Sequence, residues 1–532
     1  MEHYVAGGTQ GPAALRKLTS TVLDALAEGA VERGGPLPAG GPDAVTAEVR
    51  AGCTPMLPEH GSGADEALRE IVRVVAKGAA DPSDPHCVAH LHCPPLAVAA
   101  AADLAASALN PSMDSWDQAP AAGIIEAEVT DALAQLVYAG PDVTPDALIT
   151  SGGTESNLVA LLLARERARA AGARTVQVVC GTNAHHSVQR AAWMLGLPTP
   201  AAVECRAGRM LPESLDRVLG EYAGAPVLVV ATAGTTDEGL IDPLPELADV
   251  AARHGAELHV DAAYGGPLLF SDPLAPRLAG IERAVTVTFD LHKLGWQPVA
   301  AGVLAVRDAD DVAHLSFQAD YLNADDDTEA GLPDWLGRSI RTSRRPDALK
   351  IAVTLRALGR RGLGDMVEHC VRTAEEFAAA VDAHPELRAR PGEVGISTVL
   401  FRPVAADRLS ADTSADAGDA SADAGDALVA EVRRRLLDEG RAVVGRALAE
   451  DADGRRKLWL KATLLHPRTR AADLSGLLKL VADCATEHRA DDRAESRAEH
   501  RAENRAESRA EHHVEHRAED RATEHRTEGD TP

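Results

Sequence analysis

Short apolar runs alternate with amphipathic segments through the middle of this chain. The apolar runs, rich in Val, Leu and Ala, lie at 147–150, 176–180, 227–232, 258–261, 285–289 and 303–306. Between them, apolar residues recur at helical spacing at 155–170, 187–195, 212–222 and 245–254. Continuous apolar strands that alternate with helices predict an α/β fold, with a mostly parallel sheet covered on both faces.

The flanking regions have a different pattern. Upstream, the helical patterns lie at 13–28, 63–77, 95–109 and 124–138. Downstream, a long helical pattern begins near residue 346, and the following predicted elements are strands at 396–401 and 458–463 and a closing helix at 474–484. We therefore predict a helical N-terminal segment (1–119), a large domain (120–355) and a smaller α+β C-terminal domain (356–485).

Two repetitive segments have very few of the large apolar residues that a core requires. Residues 407–426 consist mainly of Ala, Asp and Ser, which predicts a disordered insertion. Residues 486–532 repeat Arg-Ala-Glu with a period of four. Glu and Arg at this spacing can support a solvated helix, but the segment has no apolar face. We expect a charged tail, helical or disordered, with no catalytic part.

Composition excludes several classes of protein. The net charge of -27 argues against a nucleic-acid partner, because binding phosphates needs a basic face. The seven cysteines are scattered without a C-x-x-C pair, which favours reduced thiols over a disulfide framework or a metal site. No basic segment followed by an apolar one stands at the start, and the longest apolar run, 96–109, is too short for a bilayer. We expect a cytoplasmic protein without membrane contact.

Lysine is rare in this chain, and one lysine stands out. There are seven lysines against 47 arginines, and Lys293 is the only lysine between residues 78 and 349. Lysine, unlike arginine, can lose its proton and form an imine with an aldehyde. Asp261 closes the run 258–261, and a carboxylate at the end of a buried strand needs a partner such as a protonated pyridine nitrogen. Taken alone, Lys293 is equally well explained as a surface residue after a strand.

Small polar residues follow the other apolar runs. Gly153 and Thr154 come after 147–150, where glycine lets the backbone approach a phosphate and the helix N-terminus attracts one. His185 comes after 176–180 and offers a ring that can stack on a planar cofactor. Each also has a plainer explanation, a helix cap for the first turn and a hydrogen-bonded histidine for the second.

The ends of parallel strands meet at one edge of a sheet, where ligands bind. Thr236, in the turn after 227–232, would lie at that edge together with Asp261 and Lys293. The sequence therefore predicts one pocket that combines a phosphate cradle, a stacking ring, an anion and an imine-forming amine.

As a set, these motifs resemble the group II amino-acid decarboxylases that depend on pyridoxal 5'-phosphate (PLP). The resemblance covers roughly residues 60 to 485 and rests on TSGGTESN, AHHSVQRA, VDAAYGG and His292-Lys293, in that order. It implies the PLP fold type I architecture, similar to aspartate aminotransferase, with a seven-stranded large-domain sheet. It also implies a homodimer with active sites at the interface, and loss of CO₂ from an L-amino acid to give an amine.

The resemblance assigns roles to individual residues. It implies that Lys293 holds PLP through an imine, that Asp261 pairs with the ring nitrogen and that His185 stacks on the ring, and these three are the expected catalytic residues. The other cofactor contacts that it implies are Gly153, Thr154, Thr236, Ala263, Asp290 and His292.

The substrate is expected to be a diamino acid: 2,4-diaminobutyrate, ornithine or lysine. His92 and Pro94 are expected at the mouth of the site. Asp114, with Asp117 as the alternative, is expected to reach it across the dimer and to receive a distal ammonium. An equally good explanation is that Asp114 caps the next helix. The segments 110–118, 320–323 and 342–350 resemble diaminobutyrate and siderophore-type lysine decarboxylases, whereas aromatic and acidic amino acids are the alternative substrates.

One departure from the family concerns the proton returned to the substrate carbon. Aromatic-type members carry a tyrosine in a mobile loop, but 323–340 contains none; Tyr321 lies at its start and Trp335 near the expected place. Either His185 or a water delivers the proton, or oxygen intercepts the carbanion and an aldehyde is the product. A catalytically silent scaffold is the alternative from another class.

Overall fold

The structure, a computed structural model, describes residues 5–316, 329–413 and 424–487. Tyr321, the segment 320–323 and nearly all of the predicted tail lie outside these ranges. The N-terminal helices are α1 (Gly11–Arg33), α2 (Gly41–Cys53), α3 (Ala64–Gly78) and α4 (Ala97–Leu109), and α5 (Pro120–Val137) leads into the large domain. Among the described helices, none is both long and apolar enough to cross a membrane.

A seven-stranded sheet forms the centre of the large domain. Its strands are β1 (Asp146–Thr150), β2 (Gln177–Gly181), β3 (Ala201–Val203), β6 (Val227–Thr232), β7 (Glu257–Asp261), β8 (Thr286–Asp290) and β9 (Gly302–Val306), and β4 (Cys205–Arg206) pairs separately with β5 (Arg209–Met210). The order is β1-β9-β8-β7-β6-β2-β3, and β9 runs opposite to the other six strands. The predicted α/β fold with a mostly parallel sheet is confirmed.

Helices cover both faces of this sheet, which explains why its strands are mainly apolar and buried. Every residue of β6, β8 and β9 is buried. The connecting helices are α6 (Gly153–Ala170), α7 (Ser187–Met194), α8 (Pro212–Gly220) and α9 (Leu244–Arg253). As a result, the carboxyl ends of β2, β6, β7 and β8 all lie at one edge.

The smaller C-terminal domain is α+β. After the long helix α10 (Ala348–Asp382), four antiparallel strands follow in the order β10-β11-β13-β12: β10 (Leu387–Ala389), β11 (Thr398–Pro403), β12 (Gly445–Glu450) and β13 (Arg456–Thr463). The helices α11 (Val404–Thr413), α12 (Ala424–Asp438) and α13 (475–487) complete it. The sequence pattern predicted β11 and β13 but missed β10, which is short, and β12, in which only alternate residues are buried.

The ends of the insertion predicted at 407–426 are helical, so the prediction of disorder is wrong for residues 407–413 and 424–426. Arg402 is fully buried, and its guanidinium lies 3.1 Å from the Asp407 carboxylate and 3.3 Å from that of Asp426. A buried charge needs such partners, which holds both ends of the segment in place. Residues 414–423 lie outside the described ranges.

Candidate active site

The strand ends enclose a cavity of about 340 Å³ at the edge of the sheet. Its walls come from the turns that follow β1, β2, β6, β7 and β8. Every residue expected to contact the cofactor lines this one cavity: Gly153, Thr154, His185, Thr236, Asp261, Ala263, Asp290, His292 and Lys293. Residues that lie up to 140 positions apart in the chain are brought together here because each follows a strand of the same sheet.

Lys293 is held at the cavity by a buried carboxylate. Asp290 ends β8 and is 2% exposed, and its Oδ2 atom lies 2.9 Å from the Lys293 ammonium. The Oδ1 atom has no hydrogen-bond partner among the described residues. His292 Nε2 lies 3.5 Å from the same Oδ2 atom, and burial lowers the pKa of His292, which favours a neutral ring. Lys293 is therefore the main cationic partner of Asp290.

Asp261 ends β7 and is 5% exposed. Its Oδ1 atom accepts a 3.1 Å hydrogen bond from the Ala263 backbone N–H, and its Oδ2 atom accepts one of 2.7 Å from the Asn157 side-chain amide. An anion held in this way at the cavity wall suits a cationic ring nitrogen.

His185 lies in the turn between β2 and α7. Its Nδ1 atom is 2.8 Å from the Ser187 hydroxyl, which orients the ring. Burial lowers the pKa of His185, and the nearby charge of Asp261 opposes that change. The net direction is downward, so a neutral imidazole is favoured at pH 7.

Two glycines keep the cavity open at the start of α6. Gly152 has a φ of +147°, and a Cβ atom there would lie 3.0 Å from His292 Cε1. A Cβ atom on Gly153 would lie 3.0 Å from the Ala263 Cβ and 3.3 Å from Asp290 Oδ2. Any side chain at either position would fill the recess in front of the first amides of α6, where an anion is favoured.

These features fit PLP. The recess at Gly152 and Gly153 suits its phosphate, Asp261 suits the protonated ring nitrogen, and the Lys293 amine suits the aldehyde. For the described residues, there is no group of three or more His, Cys, Asp and Glu side chains that would hold a metal ion.

The expected substrate residues do not line the cavity of a single chain. Leu91 does, but its neighbours His92 and Pro94 do not. Asp114 is 4% exposed, and its carboxylate accepts hydrogen bonds from Ser112 Oγ at 2.7 Å and from Gln118 Nε2 at 2.6 Å. Within one chain, Asp114 is therefore held by its own turn.

Sequence reasoning missed Lys461, which comes from β13 of the small domain. The residue is 8% exposed, its ammonium donates a 2.9 Å hydrogen bond to the carbonyl oxygen of Thr236, and burial lowers the pKa of Lys461. A signal was available, because Lys461 is one of only seven lysines and interrupts an apolar strand. The argument that singled out Lys293 applies to it equally.

Two further residues were missed. His259 is fully buried inside β7, and a histidine in an apolar run signals a buried polar partner. Tyr264 lines the cavity, and its hydroxyl lies 2.8 Å from Ser397 Oγ and 3.1 Å from Thr398 Oγ1. The contacts of Tyr264 with Ser397 and Thr398 join the large and small domains, and no local sequence pattern indicates them.

Comparison with known proteins agrees with this geometry. Residues 47–404 match the model of the pyridoxal-dependent decarboxylase conserved domain. The chain is 40% identical over 437 residues to an L-2,4-diaminobutyrate decarboxylase of Rhizobium meliloti (strain 1021), which covers 81% of this chain and 84% of the relative. It is 32% identical over 383 residues to an L-2,4-diaminobutyrate decarboxylase of Acinetobacter baumannii, with 67% and 74% covered.

A solved structure is similar over almost the whole fold. It is the glutamate decarboxylase domain of diaminobutyrate-pyruvate transaminase and L-2,4-diaminobutyrate decarboxylase from Vibrio parahaemolyticus, with a TM-score of 0.75 and 30% identity. The alignment covers 91% of this chain and 98% of that one. The family match over most of the chain, together with the pocket that holds Lys293 and Asp261, shows that this protein belongs to the pyridoxal-dependent decarboxylases.

Proposed function

We propose that this enzyme removes the α-carboxylate of a diamino acid, with 2,4-diaminobutyrate as the first candidate and ornithine and lysine as the others. The observation that carries the proposal is the 40% identity, over 81% of this chain, to an L-2,4-diaminobutyrate decarboxylase. The grouping of Lys293, Asp261 and His185 around one cavity supplies the chemical groups that this reaction needs.

PLP, when bound, supplies an aldehyde for the substrate amine and a ring that withdraws the electron pair left by the departing carboxylate. Lys293 would hold the aldehyde and Asp261 the ring nitrogen, while Gly153 and Thr154 would hold the phosphate. Asp261, held in place by two N–H donors, would accept a hydrogen bond from the protonated ring nitrogen.

The protein supplies a binding site for the carboxylate and a proton for the product. Lys461 does not line the cavity of a single chain, but its ammonium donates to the carbonyl oxygen of Thr236 at the cavity wall, so it is our candidate cationic partner for the substrate carboxylate. Enclosure of the site favours loss of that carboxylate, since neutral CO₂ needs less solvation than the anion. A neutral His185 carries one ring proton and lies on the cavity wall, so it is our candidate donor to the substrate carbon.

The proposal includes a cytoplasmic homodimer, in which the segment 110–118 reaches the cavity of the partner subunit. Large apolar side chains that a single chain leaves in solvent support it: Val31 is 82% exposed, Leu57 93% and Leu109 75%. The seven unpaired cysteines suit a reducing compartment. Sedimentation velocity of the purified protein tests the dimer, and a monomer at micromolar concentration would contradict it.

The first experiment asks whether Lys293 holds the cofactor. The parent protein, purified with PLP, should show the visible absorbance of lysine-bound PLP, and Lys293→Ala should remove it. Lys479→Ala, at an exposed lysine, is the matched control and should leave it unchanged. Persistence of the band in Lys293→Ala would refute the assignment.

The second experiment identifies the substrate. The enzyme is incubated with 2,4-diaminobutyrate, ornithine, lysine, glutamate, aspartate, tyrosine, tryptophan and histidine, and amine, CO₂, aldehyde and peroxide are measured. We expect amine and CO₂ from a diamino acid. Turnover of aromatic substrates alone would exclude the proposed class, and aldehyde with peroxide would show the oxidative outcome instead.

The third experiment concerns Asp114. If the carboxylate receives the distal ammonium of the substrate, Asp114→Asn should raise KM for the diamino acid about tenfold or more, as expected for loss of a charged hydrogen bond. Asp131→Asn, at an exposed aspartate on α5, is the control. An unchanged KM in Asp114→Asn would leave Asp114 as a turn-capping residue.

A further inference from the structure

A chain of buried polar side chains lies behind the cavity, between α6, α7, β7 and β8. Its members are Thr286, His259, Asn157 and Ser187, each at most 1% exposed. Asn157 lines the cavity, whereas the other three do not. The chain ends on two residues already assigned to the cofactor, Asp261 and His185.

The direction of the hydrogen bonds can be worked out from Asp261. A carboxylate only accepts, so the Asn157 amide must turn its NH₂ group toward Asp261 Oδ2, 2.7 Å away. That orientation places Asn157 Oδ1 against His259 Nε2 at 3.0 Å. Because an amide oxygen only accepts, Nε2 of His259 must carry the ring proton.

The far end of the chain agrees with this direction. Burial lowers the pKa of His259 to about 4, so the ring is neutral at pH 7 and Nδ1 has no proton. Nδ1 must then accept a hydrogen bond. The Thr286 hydroxyl, 2.8 Å away, can donate one, whereas the Thr286 carbonyl oxygen at 3.1 Å cannot.

The other branch runs to His185. The second N–H of the Asn157 amide donates to Ser187 Oγ at 2.9 Å. The Ser187 backbone N–H donates to His185 Nδ1 at 3.3 Å, so this nitrogen is an acceptor, and the Ser187 hydroxyl donates to it as well at 2.8 Å. A neutral His185 whose Nδ1 atom accepts must carry its proton on Nε2.

We propose that Thr286, His259, Asn157 and Ser187 are positioning residues of a single one-way hydrogen-bond relay, which orients the Asp261 carboxylate and keeps the ring proton of His185 on Nε2. One amide group, that of Asn157, serves both cofactor residues. Through this relay, the Thr286 hydroxyl affects cofactor binding although it does not touch the cavity.

Loss of the Thr286 hydroxyl should reverse the direction of the hydrogen bonds and so weaken cofactor binding. Without its hydroxyl, Nδ1 of His259 gains by carrying the proton and donating to the Thr286 carbonyl. Nε2 then faces Asn157 Oδ1 as a second acceptor, which favours rotation of the amide. The rotated amide turns its oxygen toward Asp261 and draws the Ser187 proton away from His185.

The experiment measures the dissociation constant of PLP by absorbance titration of the PLP-free full-length protein, so no substrate is needed. Thr286→Val keeps the shape of the side chain and removes the hydroxyl, and we expect PLP to bind about tenfold more weakly. Thr286→Ser keeps the hydroxyl and should stay within about twofold of the parent. Thr373→Val is the matched control, since Thr373 is 3% exposed and its hydroxyl donates to the Thr469 carbonyl, away from the site.

A double variant separates a relay from independent contacts. In a relay, Ser187→Ala added to Thr286→Val weakens PLP binding no further than the worse single variant does, because either change interrupts the same chain. Independent contacts would multiply their effects. Multiplied effects, or a Thr286→Val protein that binds PLP like Thr373→Val, would overturn the relay.

If Thr286→Val does not fold, the decision passes to Ser187→Ala against Ser214→Ala, a second buried serine. The relay is supported if Ser187→Ala binds PLP more weakly than Ser214→Ala does. It is refuted if the two variants bind PLP equally well. The inference rests on the cofactor roles in the proposed function, and the two can fail separately. If Lys293→Ala loses the absorbance of bound PLP but Thr286→Val binds PLP as the parent does, the proposed function stands and the relay is refuted.

Discussion

The ammonium of Lys293 lies 2.9 Å from Asp290 Oδ2, and the carboxylate is 2% exposed while the lysine side chain is 17% exposed. The pair therefore has a nearly buried anion and a cation that partly reaches solvent. Removing one partner of such a pair leaves a buried charge without compensation.

We expect Lys293→Ala to lower the free energy of unfolding of the PLP-free protein by about 2 to 3 kcal/mol, because Asp290 loses its cation. Lys293→Ala combined with Asp290→Asn should recover part of that loss, since a neutral amide tolerates burial better. Urea unfolding at pH 7 measures both. Equal stability of the single and double variants would show that Asp290 is compensated in another way.

Gly153→Ala should weaken PLP binding by tenfold or more without unfolding the protein. The added Cβ atom would lie 3.0 Å from the Ala263 Cβ, inside the recess that suits the phosphate. Gly220→Ala is the control, because no atom lies within 4 Å of a Cβ atom there. PLP titration of both PLP-free proteins measures the effect, and comparable binding by the two would argue that the phosphate lies elsewhere.

Burial of His259 predicts a loss of stability in acid. Its pKa in the folded protein is about 4, below the ordinary value of 6.5. Between these values the unfolded chain binds a proton that the folded chain does not, so stability is complete above pH 6.5 and falls as the pH falls toward 4. From pH 6.5 to pH 5 this one group should cost about 2 kcal/mol.

The measurement is urea unfolding across that pH range for the parent and for His259→Gln. Contributions from other groups are shared, so the difference between the two slopes isolates His259. We expect the variant to lose less stability between pH 6.5 and pH 5 than the parent does. Parallel curves would mean that His259 titrates normally.

Tyr264→Phe should destabilise the contact between the two domains. The hydroxyl accepts a 3.1 Å hydrogen bond from the Ser397 backbone N–H, and this buried N–H would lose its partner. The expected cost is about 1 to 3 kcal/mol. Tyr222→Phe is the control at a half-buried tyrosine, and equal unfolding free energies for the two variants would contradict the role of the Tyr264 hydroxyl.

Much of the large domain could be predicted because its signals are local. The apolar runs indicated every strand of the large sheet except β3, which has three residues. They also missed the separate β4–β5 pair. The turns with Gly153, His185, Asp261 and Lys293 follow those strands directly. Parallel strand ends share an edge, so these residues could be expected to meet before any coordinates were known.

The sequence by itself determined the alternation of strands and helices, the scarcity of lysine and the chemical nature of the residues at each strand end, since these are properties of short stretches of chain. Only the tertiary structure decided which distant groups face one another. Lys461 reaches Thr236 from 225 residues away, and Asn157 meets Asp261 from 104 residues away. Such contacts depend on strand order and on how the small domain packs, and a local pattern carries neither. For the same reason, the direction of the hydrogen bonds behind Lys293 and Asp261 became visible only in the folded chain.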